Sequence, residues 1–267
     1  MNFKKIEILS KYYCERINLL DLKNIFFFAG LFYFLYFFFE NLNKLSFRID
    51  INKYGIQIFL SFLFSLLSIV FNAIAWQEII HWFNKSSKVK KGAKFFILTN
   101  ALKYLPGGVW HFIERFNFLR NNHSRLISLY VVIIEPFFML SAALFIAAIG
   151  IIYSPFYIIF VLPLIFLNKK LIYMVLRKLE KLKKESRKFF KEFSEKDIIY
   201  KEIEFKTYFP FKPFLYEVAF VLSKFVGFII CFNFIYINNE IDSIKLLIVF
   251  CLSWSIGLIV PAAPGGA

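Results

Sequence analysis

Residues 126–153 read LISLYVVIIEPFFMLSAALFIAAIGIIY, and Glu135 is the one charged side chain among them. A bilayer core about 30 Å thick needs about 20 apolar residues in helix. This run is long enough. Its apolar residues are continuous rather than alternating, which reads as a helix and not as a barrel strand. Five more segments come close to that length: 22–39, 56–80, 155–175, 213–237 and 244–260. Phe alone occurs 39 times, and 59% of the chain is hydrophobic. One water-soluble core cannot hide that much apolar surface. The expected fold is therefore all-α, a polytopic transmembrane bundle of about six spans forming a single membrane domain over residues 1–267.

The basic residues orient the spans. Residues 1–24 hold five Lys/Arg, residues 82–125 hold nine and residues 169–212 hold fourteen. The links between these blocks hold few. That alternation follows the positive-inside rule and places the N-terminus and all three blocks in the cytoplasm. The protein is expected in the cytoplasmic membrane as a multi-pass chain, with no cleaved leader, since no small-residue cleavage site follows the first apolar run. The net charge of +15 invites a nucleic-acid reading. However, 28 of the 33 basic residues fall in the three blocks that membrane topology already explains, so nucleic acid is not expected as a partner. Within 169–212 the apolar residues Ile172, Val175, Leu179, Leu182, Phe189 and Phe193 approximate a helical stripe among lysines. This basic, cytoplasmic, amphipathic loop is expected to lie against anionic headgroups.

Two Pro-Gly-Gly elements could carry chemistry. The first is Pro106-Gly107-Gly108, within Lys103-Tyr104-Leu105-Pro106-Gly107-Gly108-Val109-Trp110 and after an apolar stretch too short to span. It reads equally as a re-entrant turn or as an interfacial loop anchored by Tyr104 and Trp110. A broken backbone at membrane depth must line protein or a watery cavity, and its free N–H groups could bind a phosphate. The second is Pro264-Gly265-Gly266, just before the final Ala267. A prepared turn at the very end predicts that the native chain continues past Ala267.

Glu135 deserves a partner, because a carboxylate inside a span costs about 2.5–3.5 kcal/mol on insertion scales. Arg115 precedes that span and could meet either Glu135 or a lipid phosphate. Glu78, Glu217 and Lys224 read as structural pairs or snorkelling ends. His111 and Glu114 share an i, i+3 face without a third ligand, so no metal and no cofactor are expected. Cys14, Cys231 and Cys251 read as isolated thiols.

Assembled, these residues resemble the integral-membrane domain of the lysylphosphatidylglycerol synthase family, a domain that also occurs alone. Tyr104–Trp110 with Arg115 downstream is similar to that family's Leu-Pro-Gly segment leading to an Arg. Ile134-Glu135 resembles its Glu-bearing span start, and Pro264-Gly265-Gly266 its late Pro-Gly-Gly turn, whose following Glu lies beyond this sequence. The resemblance implies movement or presentation of a lipid between leaflets. The soluble aminoacyl-transferase domain of the two-domain members has no counterpart here, so an enzyme is not the leading expectation.

The expected function is translocation or presentation of a phospholipid or lipid-linked saccharide. The substrate-contacting residues would be Pro106, Gly107, Gly108, Arg115, Glu135, Pro264, Gly265 and Gly266, and the partners membrane lipids. Two alternatives remain. One is a membrane-embedded lipid-phosphate transferase using Glu114, His111 and Glu135. The other is a non-catalytic partner that recruits a glycosyltransferase through residues 169–212.

Overall fold

The computed structural model describes residues 51–83, 89, 91–104, 109–123, 125–174, 205–235 and 242–259, with residues 32, 36 and 40 besides. The described residues are helical and include no strand. Most of the expected first span, both Pro-Gly-Gly elements and most of the basic loop lie outside them. Among the described residues, three helices are long and apolar enough to cross a membrane, and two shorter apolar helices accompany them.

Helix α1 (Ile51–Phe83) has 33 residues, about 50 Å at the helical rise. Its first half exposes Ile56, Phe59, Phe62 and Leu63, whereas its second half buries Ala73, Trp76, Ile79, Ile80 and Phe83. Apolar side chains facing outward over so many turns are what a lipid-facing helix presents. Short α2 (Gly92–Asn100) leads into a 3-10 turn (Ala101–Tyr104), and α3 (Trp110–Arg120) follows. Helix α4 (Arg125–Ala147) carries Pro136 in its interior and ends in a 3-10 stretch, Ala148–Ile152. Helices α6 (Phe211–Ile235) and α7 (Ser243–Ile259) complete the described bundle after α5 (Pro163–Phe166).

Hydrogen bonds define the directions. The Ser61 hydroxyl donates to the Gly227 carbonyl at 2.9 Å, and the Cys231 thiol donates to Ser61. At the other end of the same helix pair, Trp82 Nε1 donates to the Thr207 carbonyl at 3.1 Å and the Lys206 N–H to the Trp82 carbonyl at 3.0 Å. Helices α1 and α6 are therefore antiparallel neighbours along most of their length. Helix α7 packs on α4. The Tyr153 hydroxyl donates to Asp242 where α4 ends and α7 begins, so these two also run antiparallel. The Asp242 carboxylate accepts from the Ile244 N–H as well and starts α7 in the manner of an N-cap. The hydroxyl beside it holds its carboxyl below the ordinary aspartate range.

One expected span is built differently. Residues 155–175 were read as a continuous helix. Instead Pro155–Val161 is a 3-10 helix, α5 begins after it at Pro163, and the helix stops again at 167–168 before residues 169–174 resume it. Pro155 and Pro163 lack the N–H that a continuing helix would need. Ser154 caps the start by accepting from the Phe156 N–H. Asn168 ends the stretch by binding the Tyr208 hydroxyl at 2.8 Å.

Candidate functional site

Arg115 lies on α3 and Glu135 on α4, twenty positions apart in sequence. One guanidinium nitrogen, Nη1, donates to both carboxylate oxygens, at 2.8 Å and 2.7 Å. Both residues are closed off, Arg115 being 1% and Glu135 3% exposed. Helix α3 stops at Arg120, a short link follows, and α4 starts at Arg125. Arg115 lies five positions before the end of α3 and Glu135 ten after the start of α4, and the crossing of the two helices brings them together.

The guanidinium Nε has a partner as well. Nε donates to the Thr99 hydroxyl oxygen at 3.3 Å, and that hydroxyl back-bonds to the carbonyls of Phe95 and Phe96. The Arg115 Cζ atom sits 3.6 Å from the centroid of the Phe96 ring and 5.8 Å from that of Trp76. Stacking a cation on an aromatic face in a desolvated site is worth about 2 kcal/mol. Four elements therefore meet at one charge: Trp76 from α1, Phe96 and Thr99 from α2, Arg115 from α3 and Glu135 from α4. The ring stack of Phe95 on Phe118, at 4.2 Å and 11°, locks α2 against α3 beside it.

Lys103 and His111, on either side of the first Pro-Gly-Gly, are electrostatic neighbours of this pair. Burial, then the Arg115 charge, holds the Lys103 ammonium below the ordinary lysine range. The same two causes in the same order, with Lys103 added, pull His111 down to about 4. Its Nδ1 has no hydrogen-bond partner among the described residues. Glu114 faces outward and takes no part in the buried cluster. Pro106, Gly107 and Gly108 lie between these residues but outside the described ones, as do Pro264, Gly265 and Gly266.

Lys224 contacts rings rather than a carboxylate: its Nζ sits 4.6 Å from the Trp254 ring centroid and 5.8 Å from that of Phe220. Glu217 is different from the structural pair its sequence suggested. It is 0% exposed, and neither carboxyl oxygen has a hydrogen-bond partner among the described residues. The signal was present as the lone acid in a long apolar stretch, but nothing local says whether such an acid is paired.

Two apolar grooves flank the part of α4 that carries Glu135. One, of about 450 Å³, is lined by Tyr130, Ile134, Phe137, Phe166 and Leu258. The other, of about 700 Å³, is lined by Phe112, Ile113, Phe116, Leu129 and Val132. Ile133 and Pro136 form the ridge common to both. Leu258, at the end of α7, thus reaches the level of Ile134, one residue from the ion pair.

What emerges is a helical membrane protein with a buried arginine–glutamate pair at the meeting of four elements. Comparison with family models, curated proteins and solved structures finds no match to this chain.

Proposed function

We propose that this chain translocates or presents an anionic phospholipid or lipid-linked saccharide across the cytoplasmic membrane, as its resemblance to the lysylphosphatidylglycerol synthase membrane domain implies. Arg115 is the headgroup ligand in this reading, and Glu135 is the counter-ion that holds the guanidinium until a phosphate claims it. The observation that carries the reading is the buried Arg115–Glu135 pair, with two apolar grooves along the same stretch of α4. An isolated charge at that depth is costly, and buried charged residues in spans mark substrate paths more often than scaffolding. The grooves offer apolar surface for acyl chains beside a polar centre, which is the division an amphipathic ligand needs.

The same proposal includes six spans, a cytoplasmic N-terminus and a re-entrant hairpin from α2 to α3. Supporting it, α2 and α3 are short and pack antiparallel, and α1, α4, the 155–166 segment, α6 and α7 alternate in direction. Labelling of single cysteines by a membrane-impermeant reagent tests the topology: positions 154 and 240 label from outside, and 87 and 205 only after permeabilisation. Lipid movement is tested in proteoliposomes holding fluorescent phospholipids. Arg115→Ala and Glu135→Ala should each abolish protein-dependent flipping; unchanged flipping in both removes these roles.

His111 keeps the transferase reading in second place. An uncharged imidazole with an unpartnered Nδ1 beside Arg115 could accept a proton from a nucleophile attacking a lipid phosphate. Product formation from a lipid-phosphate donor, lost in His111→Ala, would favour it.

A further inference from the structure

The Arg115–Glu135 pair is joined by two short contacts, yet a second carboxyl is completely buried on a helix packed against α4. Glu217 stands on α6, which packs against α1 and α4 and touches α7. Its electrostatic neighbours are Glu135 from α4 and Arg115 from α3. Glu78 of α1 and Lys245 of α7 are not among them, and Lys224 lies two turns further along Glu217's own helix. The Glu217 side chain is completely buried, and both its oxygens lack a donor among the described residues. A bare carboxylate anion in that position would have given up its hydration for nothing, whereas a neutral carboxyl loses far less.

We propose that Glu217 is a proton-binding site and the alternative counter-ion of Arg115. In the structure the guanidinium is paired with ionised Glu135 while Glu217 holds the proton. Movement of that proton from Glu217 to Glu135, whose oxygens share no hydrogen bond in this arrangement, leaves Glu217 ionised and Glu135 neutral. The guanidinium then has its counter-ion on α6 instead of α4. Two carboxyls, one proton and one guanidinium carry the same net charge in both arrangements, so the exchange adds no uncompensated charge to the hydrocarbon. It also changes which helix the α3 hairpin is tied to, which is what a two-position device requires. This goes beyond the lipid reading and stands without it, because its readout is carboxyl protonation rather than transport.

Infrared spectroscopy of the full chain in proteoliposomes at neutral pH tests it, through the C=O stretch of a protonated carboxylic acid and its shift in D2O. The wild type should show this band. Glu217→Gln, a neutral isostere, should fold and lack it. Glu135→Gln should fold and also lack it, because the guanidinium left without Glu135 ionises Glu217 in its place. No protonated-carboxyl band in the wild type overturns the proposal, as does a band that persists in either variant. Failure of Glu217→Gln to fold overturns it too, since the amide should mimic the neutral acid. Failure of Glu135→Gln to fold does likewise, since Glu217 would then not have replaced the lost partner.

Discussion

Replacing Arg115 by Ala strands a buried carboxylate and empties the space over Phe96. Breaking one side of a buried pair costs about 3–5 kcal/mol, so Arg115→Ala should lower stability by that much, and Glu135→Ala by less, because Glu217 then stands in as counter-ion. Thermal or denaturant unfolding in detergent measures it. An Arg115→Met, Glu135→Leu double variant should be appreciably more stable than Arg115→Ala, because no unpaired carboxylate is left behind. If the alanine variants melt with the wild type, the guanidinium is not carrying the contacts described. His111 adds a pH dependence. Its folded-state pKa of about 4 lies below the ordinary histidine value of 6.5. The unfolded chain therefore binds more protons between those two values, and stability must fall as pH drops from about 6.5 toward 4. His111→Gln should flatten that part of the stability–pH curve. A curve unchanged by the substitution would show that another group titrates there.

Among the elements, the α1–α6 pair depends on close approach. A Cβ added at Gly227 would lie 3.2 Å from the Ser61 carbonyl oxygen, a backbone atom that cannot step aside alone. Gly227→Leu should push the helices apart and cost about 1–3 kcal/mol, in the range seen for overpacking. Gly227→Leu unfolding like the wild type would mean that the Ser61 bonds do not hold this crossing. The existence of α1, α4, α6 and α7 was legible from uninterrupted apolar runs, because hydrocarbon forces a segment to bond its own backbone. The 155–175 segment was misread for a local reason. Hydropathy sums side chains and is blind to the missing N–H of Pro155 and Pro163, which leaves 3-10 turns where a regular helix was expected. Glu217 was legible as an unusual residue but not as an unpaired one.

Taken whole, the described bundle is held by pairs of antiparallel helices, with the ion pair where α1, α2, α3 and α4 meet and Glu217 on α6, which packs against α1 and α4. Lengthening the α3–α4 link by two residues should shift Arg115 out of register with Glu135. Stability would then fall about as far as in Arg115→Ala, measurable by the same unfolding curves; an unaffected protein would mean the link does not set the pairing. The class of protein was readable from composition alone, because 59% hydrophobic residues in long runs have no stable home in water. The sequence also singled out Arg115 and Glu135, because charge at the edge of or inside an apolar run demands compensation. Only the tertiary structure decided which compensation is used. Three-dimensional packing brought Phe96, Thr99 and Trp76 around the guanidinium and left Glu217 without a donor. Those contacts join residues far apart in the chain, and their geometry depends on helix crossings that no local pattern of side chains encodes.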